Sequence, residues 1–101
     1  MTTVALLASQ QPAEALALGT RWREAGDDVT VVLLDGATAI LRAGHVASAH
    51  LIAALDAGVT VWAHDSAAGE RAPDSTAKVT LVDLDRVAAL IGDGAEKVQW
   101  W

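Results

Sequence analysis

The stretch that most restricts what this chain can fold into runs from Asp28 to Gly36, where a single Asp is followed by Val-Thr-Val-Val-Leu-Leu and then by Asp35-Gly36. Six uncharged residues, the first four β-branched, closed by a turn pair, are satisfied as a strand buried on both faces. A strand covered on both sides belongs at the centre of a sheet. The chain passes directly from Asp35-Gly36 into Ala37-Thr38-Ala39-Ile40-Leu41, a helical stretch. The strand therefore ends in a strand-to-helix turn with an exposed carboxylate, the kind of place where open α/β sheets bind ligands.

Around that strand the pattern alternates. Residues 3–8 (Thr-Val-Ala-Leu-Leu-Ala) read as a first buried strand, and Ser9-Gln10-Gln11 as a polar loop. Pro12 suits the first position of a helix, where its missing N–H is harmless. That helix runs to about residue 25, with Ala15, Leu18, Trp22 and Ala25 on one face, and Gly26 ends it. A short helix over 37–43 stopped by Gly44, and a second over 46–57 capped by Gly58, lead to a third strand at 59–63. One helical turn over 66–71 ends at Pro73-Asp74-Ser75. A fourth strand at 78–82 follows, then a helix over 83–91 with Asp83 as its N-cap, a Gly92-Asp93-Gly94 turn and a short fifth strand at 97–101. Strands alternating with helices predict a three-layer α/β/α sandwich with a mainly parallel five-stranded sheet, flavodoxin- or Rossmann-like in class. With 101 residues, 1–101 is expected to form a single domain.

Composition excludes several functions. Thirteen acidic against seven basic side chains leave a net charge of −6, with no basic stripe to neutralise phosphates, so direct nucleic-acid binding is not expected. Cysteine is absent, which removes disulfides, thiolate metal sites and thiol nucleophiles. Thr2-Thr3 stands where a signal peptide would be basic, and no run approaches the roughly 20 apolar residues of a membrane span. A cytoplasmic location is the expectation. With no Phe or Tyr and four Trp, the core must be filled mainly by Ala, Leu and Val, which suits helices lying close on a sheet.

Asp35, His64, Asp65 and Asp83 all fall just past strand ends, so a parallel sheet gathers them on one edge. Oxygen ligands of this kind suit magnesium. The same positions suit helix caps and solvated turns, which is the expected role, and no metal or other cofactor is assigned. Neither G-x-G-x-x-G nor G-x-x-x-x-G-K-[ST] occurs, and no serine stands in a G-x-S-x-G context. His45 and His50, five apart, diverge on a helix by about 140° and form no two-histidine metal face. No catalytic residue is assigned.

The run Val-Val-Leu-Leu-Asp35-Gly36-Ala37, then Ala57-Gly58-Val59-Thr60-Val61-Trp62-Ala63 and Glu70-Arg71-Ala72, resembles the small sulfur-relay proteins of the DsrE/DsrF/DsrH group, closest to the DsrH (TusB-like) branch. The closing segment is similar too, with Val79 to Asp83, a helix bearing Leu84-Asp85-Arg86-Val87, and a short last strand ending in Trp. The resemblance implies an α/β/α domain, a homo-oligomer or a hetero-oligomer with sister relay subunits, and a role in passing persulfide sulfur towards tRNA 2-thiolation or sulfur oxidation. It also implies a cysteine just after the third strand in the carrier subunits. Here that place holds His64-Asp65-Ser66. A hydroxyl or imidazole cannot carry a persulfide, so the chain is not itself a carrier.

Three readings follow. The chain is a structural or regulatory relay subunit, a stand-alone homo-oligomer binding a small ligand at the same edge, or an enzyme using His64 and the carboxylates. The first is the expectation and the second the alternative. The candidate edge for ligand or partner is Asp35, Gly36, His64, Asp65 and Ser66. Trp100 and Trp101, adjacent in a strand, point to opposite sheet faces and are the candidates for an oligomer interface.

Overall fold

The computed structural model describes residues 2–75 and 77–101. Five strands, β1 (Thr3–Ala8), β2 (Asp28–Leu33), β3 (Thr60–His64), β4 (Thr80–Val82) and β5 (Lys97–Trp100), form one parallel sheet in the order β4-β3-β2-β1-β5. The apolar run 29–34 supplies the middle strand. Its two sides are both covered, Val29, Val31 and Leu33 on one and Thr30 and Val32 on the other. The fold is α/β, with helices on both faces of the sheet.

The two helical layers are unequal. On one face lie α1 (Pro12–Glu24), a 3₁₀ segment (Asp35–Leu41), α2 (Ser48–Ala57) and α3 (Asp65–Arg71), which contribute Leu16, Ile40, Leu51 and Ala68 to a cluster with Val4, Leu6, Val31, Leu33 and Val61. On the other lies α4 (Leu84–Ala89), which runs on into a π turn (Leu90–Gly94); its cluster is Ala5, Leu7, Val32, Val82 and Val87. The crossing helix α4 carries the chain from β4 at one edge back to β5 at the other, beside β1.

Local chemistry accounts for most boundaries. Pro12 opens α1, and Gly58 closes α2 at φ 95°, a left-handed conformation that lets its N–H turn back to the carbonyls of Ala54 and Leu55. A methyl group on Gly19 would stand 3.1 Å from Val31 Cγ2 and 3.3 Å from Val29 Cγ1, so the glycine is what lets α1 lie close on β2. Asp83 caps α4 as its position predicts, its Oδ1 accepting the Arg86 N–H at 2.9 Å.

Other elements differ from their expected form. In place of a helix over 37–43 the chain winds as 3₁₀ over Asp35–Leu41, where Thr38 is fully buried and directs its hydroxyl between the Asp35 carbonyl (2.8 Å) and the Ala67 carbonyl (3.1 Å). The turn after β3 is a seven-residue helix starting at Asp65. The fourth strand is only Thr80–Val82, since β3 offers it three partners, Trp62, Ala63 and His64. Gly92-Asp93-Gly94 forms part of the π turn that widens the end of α4 before the Ala95 N–H returns to the Leu90 carbonyl.

Candidate functional site

The register of β2 on β3, with Leu33 opposite Ala63, brings the turns that follow these strands to the same carboxyl edge. Asp35 and Gly36 are exposed there, and so are Asp65 and Ser66, while His64 is half-buried. Asp35 holds φ 46°, a left-handed conformation that Asp tolerates better than most residues. The turn is pinned from below: the Leu34 N–H donates to the Ala8 carbonyl and the Ala37 N–H to the Ser9 carbonyl, each at 2.8 Å. Thr38, with its hydroxyl shared between the Asp35 and Ala67 carbonyls, ties this turn to α3. The two predicted halves of the edge are thus held as one surface.

What this edge can do chemically follows from who bonds whom. Asp65 Oδ1 accepts the Ser66 N–H at 2.7 Å, lies 3.5 Å from Ser66 Oγ, and stands 3.7 Å from His64 Nε2. The carboxylate is in the middle of the row. A hydrolase triad needs the imidazole there, between hydroxyl and carboxylate, to take the proton. Asp83 spends its carboxylate on capping α4, and no three of the described His, Asp or Glu residues are grouped to share a metal ion. The edge offers exposed hydrogen-bonding groups, suited to holding a partner or a small polar ligand.

Topology singles out one part of that edge. Helix α3 leaves β3 towards the crowded face and α4 leaves β4 towards the other, so the neighbouring strands β3 and β4 part their connections between His64-Asp65 and Asp83. Crevices at such a parting are the usual ligand positions of open α/β sheets. A cleft of about 260 Å³ lies alongside, between α3 and the segment leading into β4, lined by Asp65, Ala68, Ala72, Val79 and Leu81. Asp65 is the one sequence-predicted residue that lines it. Two further clefts lie beside Arg42, and one of them is also lined by Arg71. These arginines are 29 positions apart in the chain and are brought together when the Arg42 Nε–H donates to the Arg71 carbonyl, a contact that no local pattern announces.

The two terminal tryptophans do part to opposite faces. Trp101 packs against the larger core, whereas Trp100, opposite Leu7 in the ladder, is 62% exposed on the face that α4 only partly covers. Leu84 on α4 is 56% exposed, and Trp62 on β3 is half-buried with the Arg86 guanidinium 5.0 Å over its ring.

No family model and no curated protein matches this chain. A solved structure of a protein of unknown function from Methanobacterium thermoautotrophicum is similar over 96% of both chains, with a TM-score of 0.70 and 16% sequence identity. At that identity the likeness speaks to the fold. No helix among the described residues is long and apolar enough to cross a membrane.

Proposed function

We propose that this chain acts by binding: it is a cysteine-free subunit of a DsrE/DsrF/DsrH-like sulfur-relay assembly, structural or regulatory in role, in a path that passes persulfide sulfur towards tRNA 2-thiolation or sulfur oxidation. The observation that carries the reading is the exit of β3. The place where the resemblance puts a carrier's cysteine is an accessible edge, and it holds His64-Asp65-Ser66 beside Asp35-Gly36. A persulfide needs a polarisable thiolate, and the chain's single sulfur is the thioether of Met1. Assembly through the partly covered face, with Trp100 and Leu84 exposed, fits a subunit whose contribution is contact. The test has two parts. Native mass spectrometry of the chain, alone and mixed with cysteine-bearing DsrE- and DsrF-type subunits, is expected to show a defined complex; a monomer under both conditions overturns the reading. Incubation with a cysteine desulfurase, cysteine and radiolabelled sulfur should leave this chain unlabelled on a non-reducing gel while His64→Cys gains label.

The alternative, a stand-alone homo-oligomer that binds a small ligand at the carboxyl edge, is favoured by the cleft beside Asp65. A homo-oligomer that ignores the sister subunits would point to it.

A further inference from the structure

The chain carries seven basic side chains against thirteen acidic ones, yet two of the seven converge on one concave surface. Arg42 and Arg71 line a cleft of about 250 Å³ at the end of α3, shared with Asp74 and Ser75. Arg42 stands exposed, and its Nε–H is committed to the Arg71 carbonyl. Its two terminal nitrogens have no hydrogen-bond partner and no carboxylate within 4 Å among the described residues. Arg71 lies 3.7 Å from Glu70 and reaches back to the Ala67 carbonyl at 3.5 Å, so its own neutralisation is local and exposed. Both guanidinium groups line the same cleft, and guanidinium forks suit carboxylate and phosphate geometry.

A second cleft of about 280 Å³ adjoins the first and shares Arg42, Asp74 and Ser75 with it. Its other walls are mostly apolar, Ile40, Leu41, Leu51 and Ile52, the last 57% exposed, with Ser48 as the further polar group. The surface is thus cationic at one end and apolar at the other, with Arg42 between.

We infer that this furrow binds a small amphiphilic acid, with its carboxylate or phosphate on Arg42 and Arg71 and a short apolar tail along Leu41, Leu51 and Ile52. Asp74 lines both clefts, so its carboxylate weighs against more than one negative charge on the ligand. The furrow adjoins the cleft beside Asp65, with which it shares Leu41, Ala72 and Ser75, but does not include Asp65 itself, and the inference is independent of the sulfur-relay reading.

The test is amide NMR of the whole chain titrated with hexanoate, hexyl phosphate, inorganic phosphate and hexyltrimethylammonium. Hexanoate or hexyl phosphate is expected to give saturable shifts at residues 40–43, 51–52 and 71–75, and the tighter of the two identifies the head group. Arg42→Gln and Arg71→Gln should each weaken binding about tenfold, as should Arg42→Lys, because an ammonium lacks the planar fork. Arg86→Gln, on the opposite face, should leave binding unchanged. Thermal melts of each variant separate lost binding from lost fold. The inference is overturned by equal binding of the cation, by inorganic phosphate binding as tightly as hexyl phosphate, by Arg42→Gln without effect in a folded protein, or by no saturable shift at millimolar probe.

Discussion

The two faces of the sheet are built by different means. Towards α1, α2, α3 and the 3₁₀ segment, the inward positions of the three central strands β1, β2 and β3 are all buried in one cluster from Val4 to Ala72, while on the edge strand β4 Leu81 stays 58% exposed. These three helices have no side-chain N-cap hydrogen bond; what holds them to the sheet is the burial of inward residues such as Ala15 and Leu16, Leu51 and Ala54, and Ala67 and Ala68. Towards α4 the cover is one short helix with a π turn. That helix has the side-chain cap the others lack, and large apolar groups, Trp100 and Leu84, remain in water. Packing stabilises one face, and local hydrogen bonding organises the other. A face held in the second way can be given over to contact with little effect on the fold.

The comparison can be broken most directly by adjacent leucines in the same strand. Leu6 and Leu7 are both fully buried, one facing each layer. Leu6→Ala leaves a cavity that three helices prevent from closing and is expected to cost about 3–5 kcal/mol. Leu7→Ala, under the thinner layer that can settle or admit water, should cost about 2–3 kcal/mol. Urea unfolding of both variants checks this; a Leu7→Ala cost equal to or above that of Leu6→Ala would show that the thinner layer packs as tightly as the thicker.

Next in size is the close approach of α1. Gly19→Val places methyl groups where Val29 and Val31 already stand and should cost about 1–3 kcal/mol, although valine is a better helix former than glycine. An exposed glycine on α3 is the control. Gly69 has open space around it and an ordinary φ, so Gly69→Ala should stabilise by up to about 1 kcal/mol. Equal signs for the two substitutions would mean that helix propensity, not sheet contact, governs this face.

How much of this was legible in the sequence depends on the kind of force. The middle strand was, because β2 is buried on both sides and an uninterrupted β-branched run has no other comfortable form. The Asp83 cap and the Gly58 stop were, because their chemistry is local. Strand order was not: β5 returns beside β1 only because α4 buries Val87 on the opposite face, a choice between two surfaces that residues 83–101 do not announce. The tie between the 3₁₀ segment after β2 and α3 was missed because the Thr38 hydroxyl, lying between the carbonyls of Asp35 and Ala67, joins positions 29 residues apart. At the candidate edge, the neighbourhood of Asp35-Gly36 and His64-Asp65-Ser66 followed from parallel pairing. The cationic furrow did not, since Arg42 and Arg71 meet only through a backbone carbonyl.

A smaller effect is expected at the cap. Asp83→Ala removes the acceptor of the Arg86 N–H and should cost about 1 kcal/mol, with faster amide exchange concentrated at the start of α4. Gln11→Ala, at the matching position before α1, should cost nothing measurable, because Gln11 makes no capping hydrogen bond. A similar loss at both positions would contradict the division between a packed face and a capped one.

The smallest effect on the fold is expected at Trp100, and it is the most informative about assembly. Trp101 packs on the larger core, and its backbone is tied in, its N–H donating to the Leu7 carbonyl at 2.7 Å while its own carbonyl accepts the Ser9 N–H at 2.9 Å. Trp100 shows most of its indole to water, so Trp100→Ser removes little buried surface and should change monomer stability by less than about 0.5 kcal/mol. Its side chain stands on the same sheet face as Leu84, Trp62 and Leu7, where a flat aromatic gains most from being covered by another subunit. Sedimentation of the unmodified chain at micromolar concentration should therefore give a mass above that of the monomer, and Trp100→Ser should lower it, with the urea midpoint at high dilution unchanged. A drop in midpoint without a change in mass would assign Trp100 to the chain's own packing, and the thinly covered face would then lose its claim to be the surface through which this protein assembles.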